Sequence, residues 1–198
     1  LTTPDPITVQ KQLAHFHQQG AQACIMEVSS HALQQNRVSD ITYHSALFTN
    51  LSHDHLDYHH HLAAYTAAKK KLFTSLNPNS NAIFNLDDPI GETWADERAG
   101  QKTIGFTRNP HHRSTSFPLL HATWATSLKG IQMNIGGDFG QATLETPLIG
   151  DIQGYNILST LGLLLSLNLP FDQAIKALKS CSPVHGRMEY RRNEDGPD

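Results

Sequence analysis

The sequence predicts an α/β protein: a mainly parallel sheet flanked by helices, with a small antiparallel β subregion. In the first half of the chain, short apolar runs alternate with helical stretches, as in a parallel sheet covered on both faces. From 122 to 146 the apolar residues instead follow a period of two that glycines interrupt, which is typical of antiparallel strands joined by tight turns. A length of 198 residues is enough to bury the core of one ordinary domain.

The predicted helices are defined by the spacing of their apolar residues and by the residues that end them. Residues 7–19 place apolar side chains at helical intervals and stop at Gly20. Residues 62–76 are rich in alanine and end before Pro78. A helix at 87–100 has a proline near its start and a glycine at its end. The other predicted helices are a short one that begins at Ser29 or Ser30, and two near the end of the chain, 154–168 and 171–179.

The predicted strands are short runs between these helices. A buried strand is expected at 23–28, where the sequence reads ACIMEV, and another at 45–52. The remaining strands are predicted at 81–85 and 102–106, within 122–146, and at 183–192. Ligands of open parallel sheets bind at the carboxyl ends of the strands. The polar residues at the carboxyl ends of the first two strands, Glu27 to Ser30 and Asn50 to His55, are therefore expected to face one crevice.

Composition and charge exclude several classes of protein. Hydrophobic residues make up 38% of the chain and charged residues 17%, which is typical of a soluble globular protein and not of a disordered one. The net charge of -3 and the lack of a long basic stripe argue against nucleic-acid binding. The longest apolar stretch, 157–169, is too short to span a bilayer. Because Cys24 and Cys181 are far apart and no signal peptide is visible, we expect a cytoplasmic protein with buried, reduced thiols.

Residues 49–61, TNLSHDHLDYHHH, hold five histidines and two aspartates in thirteen positions. One interpretation is a dinuclear zinc site, because metallo-β-lactamase-type hydrolases use the spacing HxHxD after a strand. That pattern requires a histidine directly after the aspartate, whereas Tyr58 stands there and the next histidine comes one position late. The zinc hydrolase hypothesis would use as ligands His53, His55, Asp57 and His59. A solvated loop is the alternative, and it is the one expected for His59, His60 and His61.

A second interpretation needs only one of these histidines. Glu27 and His55 lie at the ends of two predicted strands, and a lysine on the next helix would complete a Mg²⁺ site. A lysine binds Mg²⁺ only after its neutral amine has added CO2, because the resulting carbamate carries the oxygen donors that Mg²⁺ prefers. Burial favours the neutral amine that this step requires. Lys69 follows two alanines and is the candidate, whereas Lys70 and Lys71, each turned by about 100°, are expected to be solvated.

Five segments, in this order and with these gaps, closely resemble the Mur ligases. They are EVSSHAL (27–33), FTNLSHDHLDYH (48–59), YTAAK (65–69), NLDDP (85–89) and HGRME (185–189). The likeness runs from Thr2 to Glu189 and is greatest to the UDP-N-acetylmuramoyl-tripeptide synthetase branch of the family. No one segment is specific enough, but five in register are. Residues 107–146 are assigned by position only.

The resemblance implies a three-domain enzyme of which this chain is one part. Residues 1–191 correspond to the central, P-loop NTPase-like, ATP-binding domain, truncated at its N-terminus, and residues 192–198 to the start of the linker to a C-terminal domain. The P-loop that holds the ATP phosphates is expected upstream of Leu1. The fragment alone is therefore expected to be inactive, although its parent is an enzyme.

The activity implied by the resemblance is that of an ATP-dependent amide ligase of peptidoglycan precursor synthesis in the bacterial cytoplasm, on which cell shape and cell division depend. Such a ligase adds a diamino acid, meso-diaminopimelate or L-lysine, to UDP-N-acetylmuramoyl-L-alanyl-D-glutamate through an acyl phosphate. ATP is the co-substrate, and Mg²⁺ and a carbamylated lysine assist. Three alternatives stay open: the zinc hydrolase, a non-catalytic binding module, and related amide ligases such as folylpolyglutamate or cyanophycin synthetases.

The resemblance also implies roles for individual residues. Those that match substrate contacts are Thr2, Thr3, Ser29, Gln35 and Arg37. Glu27 and His55 match Mg²⁺ ligands, and Lys69 matches the carbamylated lysine that joins them in the catalytic site. Asn156 and Arg187 match residues near the nucleotide. The family pattern GxFNxxN reads GDIQGYN in this chain, so Gln153 replaces the first asparagine of the pattern.

Overall fold

The structure is a computed structural model that describes residues 2–52 and 56–184. The chain divides into two compact units. The N-terminal unit comprises the described residues of Leu1–Ala46 and Leu51–Asn77, and the sheet unit comprises those of Leu47–Asn50 and Pro78–Asp198. No helix of the described ranges is long and apolar enough to cross a membrane.

The N-terminal unit contains helices whose starts are fixed by side-chain caps. Its helices are α1 (Pro6–Gln18), α2 (Ser30–Gln34), α3 (Leu56–His59) and α4 (Leu62–Thr74). The side chain of Asp5 accepts a hydrogen bond from the amide of Thr8 and caps α1, and Ser29 caps α2 in the same way. The helices predicted at 7–19 and 62–76 are confirmed as α1 and α4.

The segment 23–28 does not form the buried strand that the sequence predicts. It has no regular structure, and 81% of Ile25 is exposed. A buried strand needs neighbouring strands for its backbone hydrogen bonds, and in the part of the chain that the structure describes this segment pairs with none. The prediction of buried thiols is also wrong, because Cys24 and Cys181 are both exposed, although both are free.

The sheet is mixed and follows the order of its strands in the sequence, β1-β2-β3-β4-β5-β6. The strands are β1 (Ser45–Phe48), β2 (Asn81–Asn85), β3 (Thr103–Thr107), β4 (Leu119–Ser127), β5 (Gly130–Gly137) and β6 (Ala142–Thr146). β2 runs parallel to β3, and β3 to β4, whereas β4, β5 and β6 are antiparallel. The predicted α/β class and its antiparallel subregion are therefore confirmed. The strand predicted at 45–52 is shorter, and the one predicted at 183–192 falls almost wholly outside the described residues.

Three helices pack around this sheet: α5 (Pro89–Glu97), α6 (Asp151–Ser166) and α7 (Phe171–Lys179). β3 is buried along its whole length, as expected for a strand with both faces covered. α6 contacts β2, β3 and β4, and Gly162 on this helix lies against Ile83 because no side chain separates them. The core includes Ile83, Phe106, Leu120, Met133, Leu144 and Leu158. α6 begins three residues before the predicted start, directly after Gly150, whose φ of 98° suits glycine.

The loop after β2 is held tightly against the carboxyl end of β1. The Asn85 side chain donates to the carbonyl of Thr49 at 2.7 Å and accepts from the amide of Asp87 at 3.0 Å. A Cβ at Gly91 of α5 would lie 2.0 Å from the carbonyl oxygen of Asn85, so only glycine lets the helix approach this closely. Asp88 then caps α5 through the amide of Ile90. The NLDDP segment therefore forms a compact connection between β2 and α5.

His121 of β4 lies opposite Gly136 of β5 and occupies the space that a side chain there would need. Burial lowers the pKa of His121 below its usual value of 6.5, and the Arg113 cation lowers it further. The Asp138 carboxylate raises the pKa in part, and His111 lowers it. The folded protein therefore holds His121 in its neutral form more strongly than the unfolded chain does.

We expect the stability that depends on neutral His121 to be lost as the pH falls below 6.5, because the unfolded chain binds the proton first. An NMR titration of the His121 imidazole should give a pKa below 6.5, and thermal unfolding should become easier across the same range. Arg113→Gln removes one cause and should raise the pKa. A pKa of His121 at or above the usual value would contradict this account.

Candidate functional site

The N-terminal unit brings three of the predicted substrate-binding residues and Glu27 together around Thr3. The side chain of Thr3 is buried, with 1% exposed, and its hydroxyl donates to the carbonyl of Glu27 at 3.0 Å. The same hydroxyl accepts from the amide of Ser29 at 3.1 Å. Arg37 donates from Nη1 to the carbonyl of Thr3 at 2.8 Å. Side chains that are distant in the sequence thus meet in one hydrogen-bonded network.

Hydrogen bonds on two sides of its guanidinium group hold Arg37 in one orientation. Besides its bond to Thr3, it donates from Nε to Oε1 of Gln35 at 2.8 Å, and Nη2 bonds the same oxygen. The amide of Gln35 in turn donates to the hydroxyl of Tyr58 at 3.0 Å. Asn36, with a φ of 54°, forms the turn between Gln35 and Arg37. A fork-shaped cation with fixed geometry is suited to bind a carboxylate or a phosphate.

A surface depression borders this network. It is lined by Pro4, Asp5, Pro6, Gln35 and Arg37. Thr2 is exposed, so its hydroxyl is accessible to a ligand. The hydroxyl oxygen of Ser29 accepts from the amide of Ala32 as the cap of α2, and its proton can still be donated. Helix capping alone explains the position of Ser29, but it does not explain the buried Thr3 or the orientation of Arg37.

Two of the three predicted Mg²⁺ ligands lie in this unit, and the third, His55, falls outside the described residues. Glu27 is exposed, while Lys69 on α4 is half-buried, with Nζ 5.3 Å from the centre of the Tyr65 ring. Within the described ranges, no group of three His, Cys, Asp or Glu side chains is placed to hold a metal ion. A carboxylate and a lysine carbamate are nevertheless oxygen donors of the kind that Mg²⁺ prefers, so the donor set fits this ion once Lys69 is modified.

The three consecutive lysines are in different surroundings. Lys71 is exposed and donates to Oε1 of Gln34 at 3.0 Å. Lys70 is half-buried like Lys69, so the expectation that it is solvated holds only in part. Only Lys69 lies one helical turn beyond Tyr65, at the spacing that places two side chains on the same helix face.

His59 is not the solvated residue that the sequence predicts. It is buried, with 5% exposed, and its Nε2 shares a hydrogen bond of 2.9 Å with the hydroxyl of Ser30. His60 is exposed, and His61 caps α4 by accepting from the amide of Ala64. The zinc hydrolase hypothesis would therefore need Nδ1 of His59 as the zinc ligand, on a ring enclosed by Tyr58, Tyr65 and His31. His53 lies outside the described residues, and Asp57 is exposed on α3.

A cluster of aromatic rings surrounds His59, and sequence analysis missed it. The ring of His59 lies 4.9 Å from Tyr58, 5.4 Å from Tyr65 and 5.5 Å from His31, measured between ring centres. The rings of His31 and Tyr58 are 4.1 Å apart. We call these four residues the histidine–tyrosine cluster. The spacing of four residues between Tyr65 and Lys69 in YTAAK is the one sequence signal that could have drawn attention to Tyr65.

The predicted nucleotide-binding residues lie in the sheet unit or outside the described ranges. Asn156 is exposed on α6, and its Nδ2 donates to Oε1 of Gln153 at 3.0 Å. The replacement of the family asparagine by Gln153 therefore leaves two amides that contact each other on one helix face. Arg187 lies beyond the described residues.

Polar side chains also meet at the start of α6, where none was predicted. Nη1 of Arg108 donates to both carboxylate oxygens of Asp151, at 2.9 and 3.0 Å. The guanidinium carbon of Arg108 lies 4.4 Å from the centre of the Trp124 ring. Trp124 donates to Asp151 at 2.9 Å. Burial raises the pKa of Tyr155 to about 12, and the nearby Asp87 carboxylate contributes to the same shift. These contacts join the end of β3 to the first turn of the helix that carries Asn156.

Comparison with known proteins gives this arrangement a family context. Residues 1–164 match the Mur ligase middle domain. Over 192 residues, or 95% of its length, the chain is 41% identical to the UDP-N-acetylmuramoyl-L-alanyl-D-glutamate--2,6-diaminopimelate ligase of Vibrio vulnificus (strain YJ016). A solved structure of a ligase with that name superposes with a TM-score of 0.82 at 28% identity, covering 98% of this chain and 39% of that chain.

More distant structures share the fold alone. MurF ligase from Thermotoga maritima, in complex with ADP, has a TM-score of 0.65 at 16% identity over 84% of this chain and 36% of that chain. The chain spans only 37% of the length of the Vibrio vulnificus relative. The known relatives are thus considerably longer than the region they share with this sequence.

Proposed function

This chain belongs to the Mur ligase family, and we propose that it is the middle domain of an ATP-dependent ligase that joins a diamino acid to UDP-N-acetylmuramoyl-L-alanyl-D-glutamate. The observation that carries the proposal is the network of Thr3, Ser29, Gln35 and Arg37, in which four predicted substrate contacts are positioned together. Meso-diaminopimelate is favoured over L-lysine as the added amino acid, because the relatives that match most of this chain are named for it.

The substrate is an anion, and the network is suited to bind one. Arg37 provides a cation whose fork is already oriented by Thr3 and Gln35, so little conformational freedom is lost when a carboxylate or phosphate binds. The exposed hydroxyl of Thr2 and the hydroxyl of Ser29 supply donors next to it. These residues would hold the peptide end of the substrate near the reacting carboxylate.

Glu27, His55 and the carbamate of Lys69 would hold Mg²⁺, which neutralises charge while a phosphoryl group moves between two anions. Lys69 becomes a ligand when its neutral Nζ forms a bond to the carbon of CO2. One C=O electron pair then moves to oxygen and the amine proton leaves to solvent, which gives an anionic carbamate. Lys69 is half-buried on α4, with Nζ 5.3 Å from the centre of the Tyr65 ring.

Asn156 and Arg187 would contact the nucleotide. Gln153 stands where the family has an asparagine, and its Oε1 orients the amide of Asn156. The carbonyl of Asn156 is then aimed away from that bond and can accept from the amino group of a purine. The ion pair of Arg108 and Asp151 holds the first turn of α6 in place. The side-chain amides of Gln153 and Asn156 lie on this helix, so their positions depend on that turn.

The reaction follows from the need to form an amide from a carboxylate. The D-glutamyl carboxylate attacks the γ-phosphorus of ATP, and ADP leaves, so that the carboxylate becomes an acyl phosphate. The amine of the diamino acid then attacks the acyl carbon, phosphate leaves with the bonding electrons, and the amine loses a proton. The chain's own residues bind and orient the reactants and supply no nucleophile.

We assign residues 1–191 to this middle domain and residues 192–198 to the start of a linker. The full-length protein would add a P-loop and a domain that recognises the diamino acid, so the present chain would be inactive alone. The whole enzyme would act in the bacterial cytoplasm as part of cell-wall synthesis.

The proposal is tested with the full-length protein, ATP and Mg²⁺. We expect ADP formation that requires both UDP-N-acetylmuramoyl-L-alanyl-D-glutamate and meso-diaminopimelate, and a product of the matching mass. Hydroxylamine in place of the diamino acid should trap the acyl phosphate as a hydroxamate. L-lysine in place of diaminopimelate serves as the specificity control. Tightly bound zinc with hydrolytic turnover, and no ADP formation, would overturn the proposal in favour of the zinc hydrolase.

A further inference from the structure

A buried histidine lies between the substrate-binding segment and the lysine proposed to carry the carbamate. On the basis of the proposed function, we infer that His59 is a positioning residue that sets the place of Lys69 through the ring of Tyr65. Neither its burial nor this role was expected from the sequence. Three observations support the inference: the hydrogen bond of His59, its ring contacts, and the position of Lys69 over Tyr65.

His59 is itself held in a fixed position. Its Nε2 is bonded to the hydroxyl of Ser30, and only 2% of Ser30 is exposed. Ser30 is the first residue of α2, which Ser29 caps. A buried hydrogen bond of this kind is costly to break without replacement, because the remaining partner is left unsatisfied. The imidazole is therefore anchored to the same helix start that presents Ser29.

The fixed ring of His59 packs against the ring of Tyr65 and limits its movement. The two ring centres are 5.4 Å apart, and only 4% of Tyr65 is exposed. Tyr65 and Lys69 lie one turn apart on α4, so the ring of Tyr65 forms the surface under the lysine side chain. Nζ of Lys69 is 5.3 Å from the ring centre. Movement of the tyrosine ring would therefore move the amine.

The position of this amine decides where the oxygens of its carbamate would lie. With the lysine side chain against the ring of Tyr65, the carbamate would be held at a defined place beside α4. A carbamate that extends into water has no such support and is released again as CO2 and free amine. If His59 is removed, Tyr65 gains room to tilt and Lys69 moves outwards. The carbamylated fraction should then fall.

The two features of His59 can be separated by substitution in the full-length protein. His59→Gln keeps a group that can bond Ser30 but removes the ring, whereas His59→Phe keeps a ring against Tyr65 but loses the bond. We expect His59→Gln to lower kcat by about tenfold, since small misplacements near a reacting group have effects of this size or larger. His59→Phe should keep more of the rate than His59→Gln, because a ring still lies against Tyr65, but less than the wild type, because the bond that anchors the ring to Ser30 is lost. The KM for UDP-N-acetylmuramoyl-L-alanyl-D-glutamate should not change in either variant.

A second measurement distinguishes positioning from a general loss of structure. With ¹³C-labelled bicarbonate, the wild-type protein should show an NMR signal of a carbamate that is missing in Lys69→Arg. His59→Gln should weaken this signal, and a higher bicarbonate concentration should restore both the signal and kcat by mass action. His60→Asn is the matched control, because His60 is exposed and asparagine tolerates its positive φ. It should match the wild type in all three measurements.

The outcomes separate this inference from the proposed function on which it rests. Absence of the carbamate signal from the wild-type protein would overturn the proposed role of Lys69 itself. A wild-type signal that is unchanged in His59→Gln, with kcat also unchanged, would overturn only the positioning role. A loss of rate that bicarbonate does not restore, or a raised KM, would show that His59 is purely structural and would also overturn it.

Discussion

Lys69→Arg is expected to reduce the kcat of the full-length ligase by about 10²–10³-fold, the range typical of losing one group that stabilises charge in the transition state. Arginine keeps the positive charge and the approximate length of lysine. Its guanidinium stays protonated and does not add CO2, so it cannot supply oxygen donors to Mg²⁺. The proposed site would be left with Glu27 and His55 and a repelling cation beside them.

Initial rates of ADP formation, measured over a range of Mg²⁺ concentrations, check this prediction. Lys70→Arg is the matched control, since Lys70 is the next residue on α4 and is also half-buried. Its rate should stay close to that of the wild type. Equal losses in both variants would indicate that α4 needs lysine for packing, and a wild-type rate for Lys69→Arg would remove this residue from the metal site.

Arg37→Lys is expected to weaken the binding of UDP-N-acetylmuramoyl-L-alanyl-D-glutamate by about tenfold to a hundredfold, as for the loss of a hydrogen bond to a charged group. Lysine has one compact ammonium group, which cannot bond the carbonyl of Thr3 and the amide oxygen of Gln35 while it also presents a planar pair of N–H donors to an anion. The fixed orientation of the cation would be lost even though its charge remains.

Titration calorimetry of the full-length protein with the UDP-linked dipeptide measures this effect directly. Arg113→Lys provides a control for a change from arginine to lysine at an exposed position of the sheet unit. Thermal unfolding of Arg37→Lys should show a small loss of stability, because three hydrogen bonds in the network are altered. Unchanged affinity for the dipeptide would mean that Arg37 is a structural residue only.

Where the deciding interactions are local, the predictions from sequence were confirmed. α5 begins at Pro89 because Asp88 caps it and a proline fits the first helical position, and both signals are adjacent in the sequence. The antiparallel strands β4 and β5 meet at a turn containing Gly130, whose φ of 130° suits glycine. Alternation of apolar residues then sets which side chains of these strands face the core.

Where distant residues must meet, the same reasoning failed. The run at 23–28 is apolar enough for a buried strand, but burial depends on partners that composition does not reveal. His59 is followed in the sequence by the exposed His60 and His61, yet it is buried, with Ser30 and Tyr65 beside it. Arg108 and Asp151 are 43 residues apart, so no local sequence pattern predicts their ion pair.

The sequence by itself determined the α/β class and the family, and it predicted the site residues. It could do so because each motif lies within a few neighbouring positions of the chain. Only the tertiary structure decided that Thr3 bonds Arg37 and that Tyr65 lies between the ring of His59 and the amine of Lys69. Such contacts join segments more than twenty residues apart or depend on burial, which arises only once the helices have packed.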